Sequence, residues 1–123
     1  MTKDNMRFEF VYDGENDVLS IYNHSCKPLE SIEYSENIIF DLNKEGNIVG
    51  LQVLEASEFF GFMNKLIDRD FLLNLEGIEL IEREHRNTLF IVLAMKSKGK
   101  SVINQPMPPL RKMEYESPLL CAK

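Results

Sequence analysis

Short stretches in which apolar and polar residues alternate recur along this 123-residue chain, separated by clusters of Gly, Asn, Asp and Pro. Extended backbone points successive side chains to opposite faces, so alternation of this kind marks strands with one buried face. Residues 7–12 place Phe8, Phe10 and Tyr12 on one face, residues 13–17 supply tight-turn chemistry, and residues 18–22 return as a second strand. After a polar connection over 23–35 containing Pro28, residues 38–42 turn Ile38, Phe40 and Leu42 inward. A turn at 43–47, with Gly46 at a left-handed position, leads to a strand over 48–54. There Val49, Leu51 and Val53 share one face, Ile48, Gly50, Gln52 and Leu54 the other, and Gly50 marks a bulge or a close approach.

The period then changes. Ser57 is placed to cap a helix over 58–67, whose Phe59, Phe62, Met63, Leu66 and Ile67 form an apolar stripe read as core. Asp70 is placed to cap a short turn over 71–75, stopped by Gly77. Strands over 78–84 and 89–95 follow, joined through His85, Arg86 and Asn87. Residues 89–95 are apolar on both faces, which predicts a central strand covered on both sides. A last short strand is expected over 101–104 before Pro106, Pro108 and Pro109 enforce an extended path. The two hairpins at 38–54 and 78–95 are similar in length but not in sequence, so no duplication is read. The expected fold is α+β: an antiparallel sheet of about six or seven strands, one main helix on one face, and an extended C-terminal arm. One domain spans 1–105 and the arm 106–123, a division that suits a chain of this length.

The blocks 12–22, 37–41 and 45–57 carry a family likeness in their order and spacing. Over residues 8–60 the chain resembles the bacterial and archaeal family named domain of unknown function 2283. The resemblance implies a small sheet entering a helix and implies no activity. It also suggests, by association, a partner that neutralises a small toxin.

Charge and composition narrow the function classes. The net charge is −6, and residues 1–61 hold 12 acidic against 4 basic side chains. That half repels nucleic acid and anionic membranes. Only the segment carrying Lys96, Lys98, Lys100, Arg111 and Lys112 is purely basic, so RNA binding is a minor alternative. No apolar run reaches the ~20 residues of a membrane span, and residues 1–5 lack a signal-peptide core. Cys26 and Cys121 stand far apart in no metal or redox spacing, consistent with free thiols in the cytoplasm.

Each motif has a structural reading beside its chemical one. Asp13, Glu15 and Asp17 begin a calcium-loop spacing, yet Val18 replaces its glycine and His24 its closing glutamate, so a solvated turn is favoured. Residues 94–101 satisfy a relaxed phosphate-loop pattern, but no helix can follow through Pro106, so a β-turn is expected. His24 and His85 lack a nucleophile partner, and no cofactor motif is complete. The leading expectation is a non-catalytic protein–protein interaction or assembly module forming a homodimer. Its contacts are expected at Ile39, Leu54 and Val92 on a partly apolar sheet face, and at Val102, Met107, Leu110 and Met113 along the arm. The rival is a ligand- or metal-binding protein, or an enzyme, using Asp13, Glu15 and Asp17 with Glu55 and His24.

Overall fold

The structure is a computed structural model describing residues 5–23, 28–45 and 47–111. Among the described residues, nine strands and two short helices follow one another as β1 (Asn5–Asp13), β2 (Val18–Tyr22), β3 (Glu30–Glu33), β4 (Ile38–Leu42), β5 (Ile48–Leu54), α1 (Ala56–Met63), α2 (Arg69–Leu73), β6 (Leu75–His85), β7 (Thr88–Ser97), β8 (Ile103–Pro106) and β9 (Leu110–Arg111). All pairings are antiparallel, in the order β3-β4-β5-β2-β1-β6-β7-β8, with β9 also on β7. The sheet thus exceeds the six or seven strands expected, and it curls into a half-barrel. The Tyr34 hydroxyl, beyond β3, donates to the Pro109 carbonyl beyond β8 and ties the two ends together.

β1 joins the two halves because it changes partners. Its residues 5–8 pair with β6, whereas residues 9–13 pair with β2. The inner face collects Phe8, Leu19, Ile21, Ile38, Phe40, Leu51, Val53, Ile78, Leu80, Leu93 and Met95, all at or below 3% exposure. Phe60, Ile67, Phe71 and Leu72 from the helical segment close this core. Each such side chain contributes roughly 1.5–3 kcal/mol by leaving water.

Several elements depart from the sequence reading for identifiable reasons. β3 lies in the connection read as irregular; it is a polar edge strand whose only apolar residue is Ile32, the composition that protects an edge from unwanted pairing. Ile48 joins the core together with Leu51 because the β4–β5 register shifts between Asp41 and Leu42, and the bulge resets the alternation. Gly50 is a close approach as well: a Cβ there would stand 2.7 Å from the Asp41 Oδ2. β7 is covered on one face only among the described residues, since Phe90 is 43% exposed and Val92 and Ala94 are half-buried. The Arg86–Asn87 pair closes β6–β7 with both residues at positive φ, the two-residue hairpin turn whose twist matches its strands. The 97–100 segment is the expected β-turn, with the Lys100 N–H donating to the Ser97 carbonyl and Gly99 at φ 74°.

The helical segment differs most. The one main helix is only eight residues long, and its apolar stripe is in another phase. Phe60 and Ile67 are buried, Phe59 is partly buried, and Phe62 and Leu66 are 92% and 69% exposed. α2 is capped by Asp68 rather than Asp70, its carboxylate accepting from the Phe71 N–H at 2.9 Å. Gly77 lies within β6, where the register shifts, and does not stop the helix. The start of the expected arm belongs to the domain: β8 includes Pro106 on a strand paired on one side only, and Met107 is buried in the core. His24, Cys26, Gly46, Met113 and Cys121 lie outside the described residues.

Candidate functional site

Two acidic clusters share one end of the sheet, where β1 ends, β5 feeds α1, and β7 turns into β8. The first is the 13–17 turn. Asp13 Oδ1 accepts from the Glu15 and Asn16 N–H groups, and its Oδ2 from the Asn16 side chain. These bonds, led by the Asn16 side chain, hold the Asp13 carboxyl below the usual carboxylate range. Arg69 donates to the Gly14 carbonyl and fastens the turn to α2.

Asp17 is committed elsewhere. It sits at φ 59°, with Oδ1 accepting from the Tyr12 hydroxyl at 2.5 Å and the Ser57 N–H at 3.0 Å. Its Oδ2 accepts from the Ser57 hydroxyl at 2.8 Å, and its carbonyl from the Ala56 N–H. Asp17 therefore caps α1 from a hairpin 40 residues away, satisfying N–H groups that a helix start leaves open. Partial burial pushes its carboxyl up, but the bonds from Tyr12 and Ser57 and the nearby Arg69 outweigh this, and the group ends below its ordinary value. Burial, together with the bond and charge of Asp17, pushes Tyr12 up to about 12. Sequence reading missed this clamp. The sequence places Ser57 as the cap of a helix over 58–67; the helix instead starts at Ala56, and Ser57 donates to Asp17 rather than capping it.

The second cluster rims a groove of about 420 Å³ lined by Asn37, Glu55, Glu58, Phe59, Phe62, Met63 and Pro108. Asn37 exchanges bonds with Leu54, its side chain donating to the Leu54 carbonyl and its carbonyl accepting from the Leu54 N–H, which sets the groove wall. Phe59 packs edge-on against the buried Phe60, with ring centroids 5.4 Å apart. The Gln105 side chain meets the Met63 sulfur at 3.7 Å and joins β8 to the same end. Glu55 is the N-cap of α1 at φ 53°, a left-handed conformation, and the next residue, Ala56, donates its N–H to the Asp17 carbonyl. Its side chain makes no capping bond. Among the described residues neither the Glu55 nor the Glu58 carboxylate has a partner.

The structure disperses the contact residues expected from sequence. Ile39 in β4 and Val92 in β7 are half-buried on the outer face with β5, β2, β1 and β6 between them. Leu54 in β5 lies opposite Val18, with β2, β1 and β6 between its strand and β7 in the sheet order. Met107 is spent inside the chain, its N–H donating to the Ile91 carbonyl. Val102 is 52% exposed beside the helical end, and Leu110 pairs through its backbone with Leu89. Asp13, Glu15 and Asp17 stay together in one turn, but the carboxylates of Asp13 and Asp17 are occupied. Among the described residues no group of three or more His, Cys, Asp or Glu side chains is arranged to hold a metal ion.

The clamp and the strands it joins lie in the segment that a family model matches. Residues 9–57 match the model of a protein family of unknown function, DUF2283. The DUF2283 segment begins in β1 at the residue where that strand turns to β2 and ends on Ser57, so it contains both ends of the Asp17 clamp. An uncharacterized protein of Methanocaldococcus jannaschii is 29% identical over 103 residues, covering 81% of this chain and 84% of that protein. That likeness extends beyond the DUF2283 segment into the second half. No solved structure matches significantly. No helix among the described residues is long and apolar enough to cross a membrane.

Proposed function

We propose that this chain is a non-catalytic protein–protein interaction module of the prokaryotic cytoplasm, and that it assembles with itself through the α1 end of the sheet. Phe62 carries this reading: it is 92% exposed on a helix whose neighbouring Phe60 is fully buried. Met63 and Leu66 extend the apolar surface at 39% and 69% exposure, and the groove beside them is apolar within an acidic rim. A monomer gains nothing by displaying such a group, whereas a partner that covers it removes apolar area from water. The surface expected from sequence, the outer sheet face, is the weaker candidate because its apolar residues are separated by Ser20, Gln52 and Glu9.

Size-exclusion chromatography with light scattering tests the proposal. The wild type is expected at twice its 14.3 kDa, and Phe62→Asp at the monomer mass with an unchanged far-ultraviolet circular dichroism spectrum. A wild type that remains monomeric at high micromolar concentration overturns it. Metal binding by the acidic turn has less support, because its best-placed carboxylates already serve the hairpin and α1.

A further inference from the structure

The groove and the basic 98–102 turn stand at the same end. β7 ends at Ser97 opposite Leu75, where α2 passes into β6, and the 98–102 turn leads from there to β8. The Lys98 N–H donates to the Asn74 carbonyl at the end of α2. Lys98, Lys100 and Val102 are all exposed, and neither ammonium has a partner among the described residues. Lys96 differs, since its ammonium donates to the Ser97 carbonyl and lies 4.0 Å from Glu76. One end of the chain therefore carries two unpartnered carboxylates around an apolar groove, and two unpartnered ammoniums followed by an exposed valine.

Resting on the self-association proposed above, we infer that the occupant of the Glu55–Glu58 groove is the 98–102 turn of a second copy of this chain. In a two-fold pair each copy offers both surfaces, so the contact is made twice, as an isologous interface requires. Lys98 and Lys100 meet Glu55 and Glu58, and their methylene stems lie along Phe59 and Phe62. Val102 enters the apolar part beside Met63. The local match offsets the repulsion of two chains each carrying a net charge of −6. It also gives a use for Glu55, which holds a left-handed conformation at the groove mouth without capping its own helix.

Two charge-reversed variants test the assignment without disturbing the core, because all four positions are exposed. Glu55→Lys/Glu58→Lys and Lys98→Glu/Lys100→Glu are each expected to keep the wild-type circular dichroism spectrum and to self-associate at least about tenfold more weakly. Mixed in equal amounts they are expected to form a heterodimer of wild-type affinity, since both contacts then pair opposite charges. Raising the salt concentration weakens the wild-type dimer. Variants that dimerise like the wild type, or a mixture that stays monomeric, overturn the inference while leaving self-association in place. A wild-type monomer overturns both. A wild type that stays monomeric yet binds a Lys-Gly-Lys-Ser-Val peptide assigns the groove to another protein and also overturns it.

Discussion

The 13–17 turn and the rim of the α1 groove are both acidic, and both lie at the α1 end of the half-barrel. In the turn, Asp13 folds onto its own backbone and Asp17 accepts from Tyr12 and from two groups of Ser57. At the rim, Glu55 and Glu58 have no partner among the described residues. The turn has the spacing that suggests a site, and the rim has none. What separates them is whether the oxygen atoms are already used. A carboxylate whose acceptors are filled stabilises the fold, whereas one left open beside apolar surface is available to a second molecule.

The same division runs through the aromatic side chains of α1, where it has the largest consequence. Phe60→Ala is expected to cost about 3–5 kcal/mol in chemical denaturation, because it empties a fully enclosed position. Phe62→Ala should change the stability of the monomer by less than about 0.5 kcal/mol. Comparable losses for the two would mean that Phe62 is part of the core.

Asp17→Ala comes next, at roughly 2–4 kcal/mol, since it removes three accepted bonds and leaves alanine at φ 59°. Glu58→Ala at the rim is expected to fall within about 0.5 kcal/mol. An Asp17→Gly variant should recover part of the loss, because glycine accepts positive φ without strain. Equal costs for Asp17→Ala and Glu58→Ala would erase the contrast between turn and rim.

Titration sharpens it further. The Asp17 carboxyl is lowered on folding, so its contribution is present above the unfolded value of about 3.9 and is lost as pH falls through the folded value. Tyr12 is raised to about 12, so its contribution is present below the unfolded value of about 10 and is lost as pH rises toward 12. Denaturation midpoints across pH should therefore fall on both sides, and Tyr12→Phe should flatten the alkaline side and also soften the acid side, because Asp17 loses the bond from Tyr12. An alkaline decline that persists in Tyr12→Phe would assign it to another group. The smallest effect is a gain: Glu55→Gly relieves the left-handed residue and should stabilise the monomer by about 0.5–1 kcal/mol while weakening self-association.

The hairpins were legible because their information is local. Alternation in residues 7–12, 38–42 and 78–84, punctuated by turn residues, places strands wherever those strands go next. The Gly99 turn and the Arg86–Asn87 turn follow from backbone preferences of a few neighbouring residues in the same way. β3 escaped notice because a polar edge strand has only Ile32 to announce it. The helix was expected but its phase was not, since Phe59, Phe60, Phe62 and Met63 offer more than one apolar face. The bulge opposite Asp41 hid Ile48 from a strict period of two.

By itself, then, the sequence determined an acidic, hairpin-built antiparallel domain with a family-like first half and no complete motif for a cofactor or nucleophile. Only the tertiary structure decided which face of α1 is buried, because Asp17, in the turn before the neighbouring strand β2, fixes Ala56 and Ser57 and thereby sets the rotation of the helix. Periodicity is a property of neighbours along the chain, and it constrains an element without choosing its partners. Whether a carboxylate is spent or free depends on groups brought near by folding, so the turn with a site's spacing is structure and the rim carrying Glu55 and Glu58 is the candidate surface.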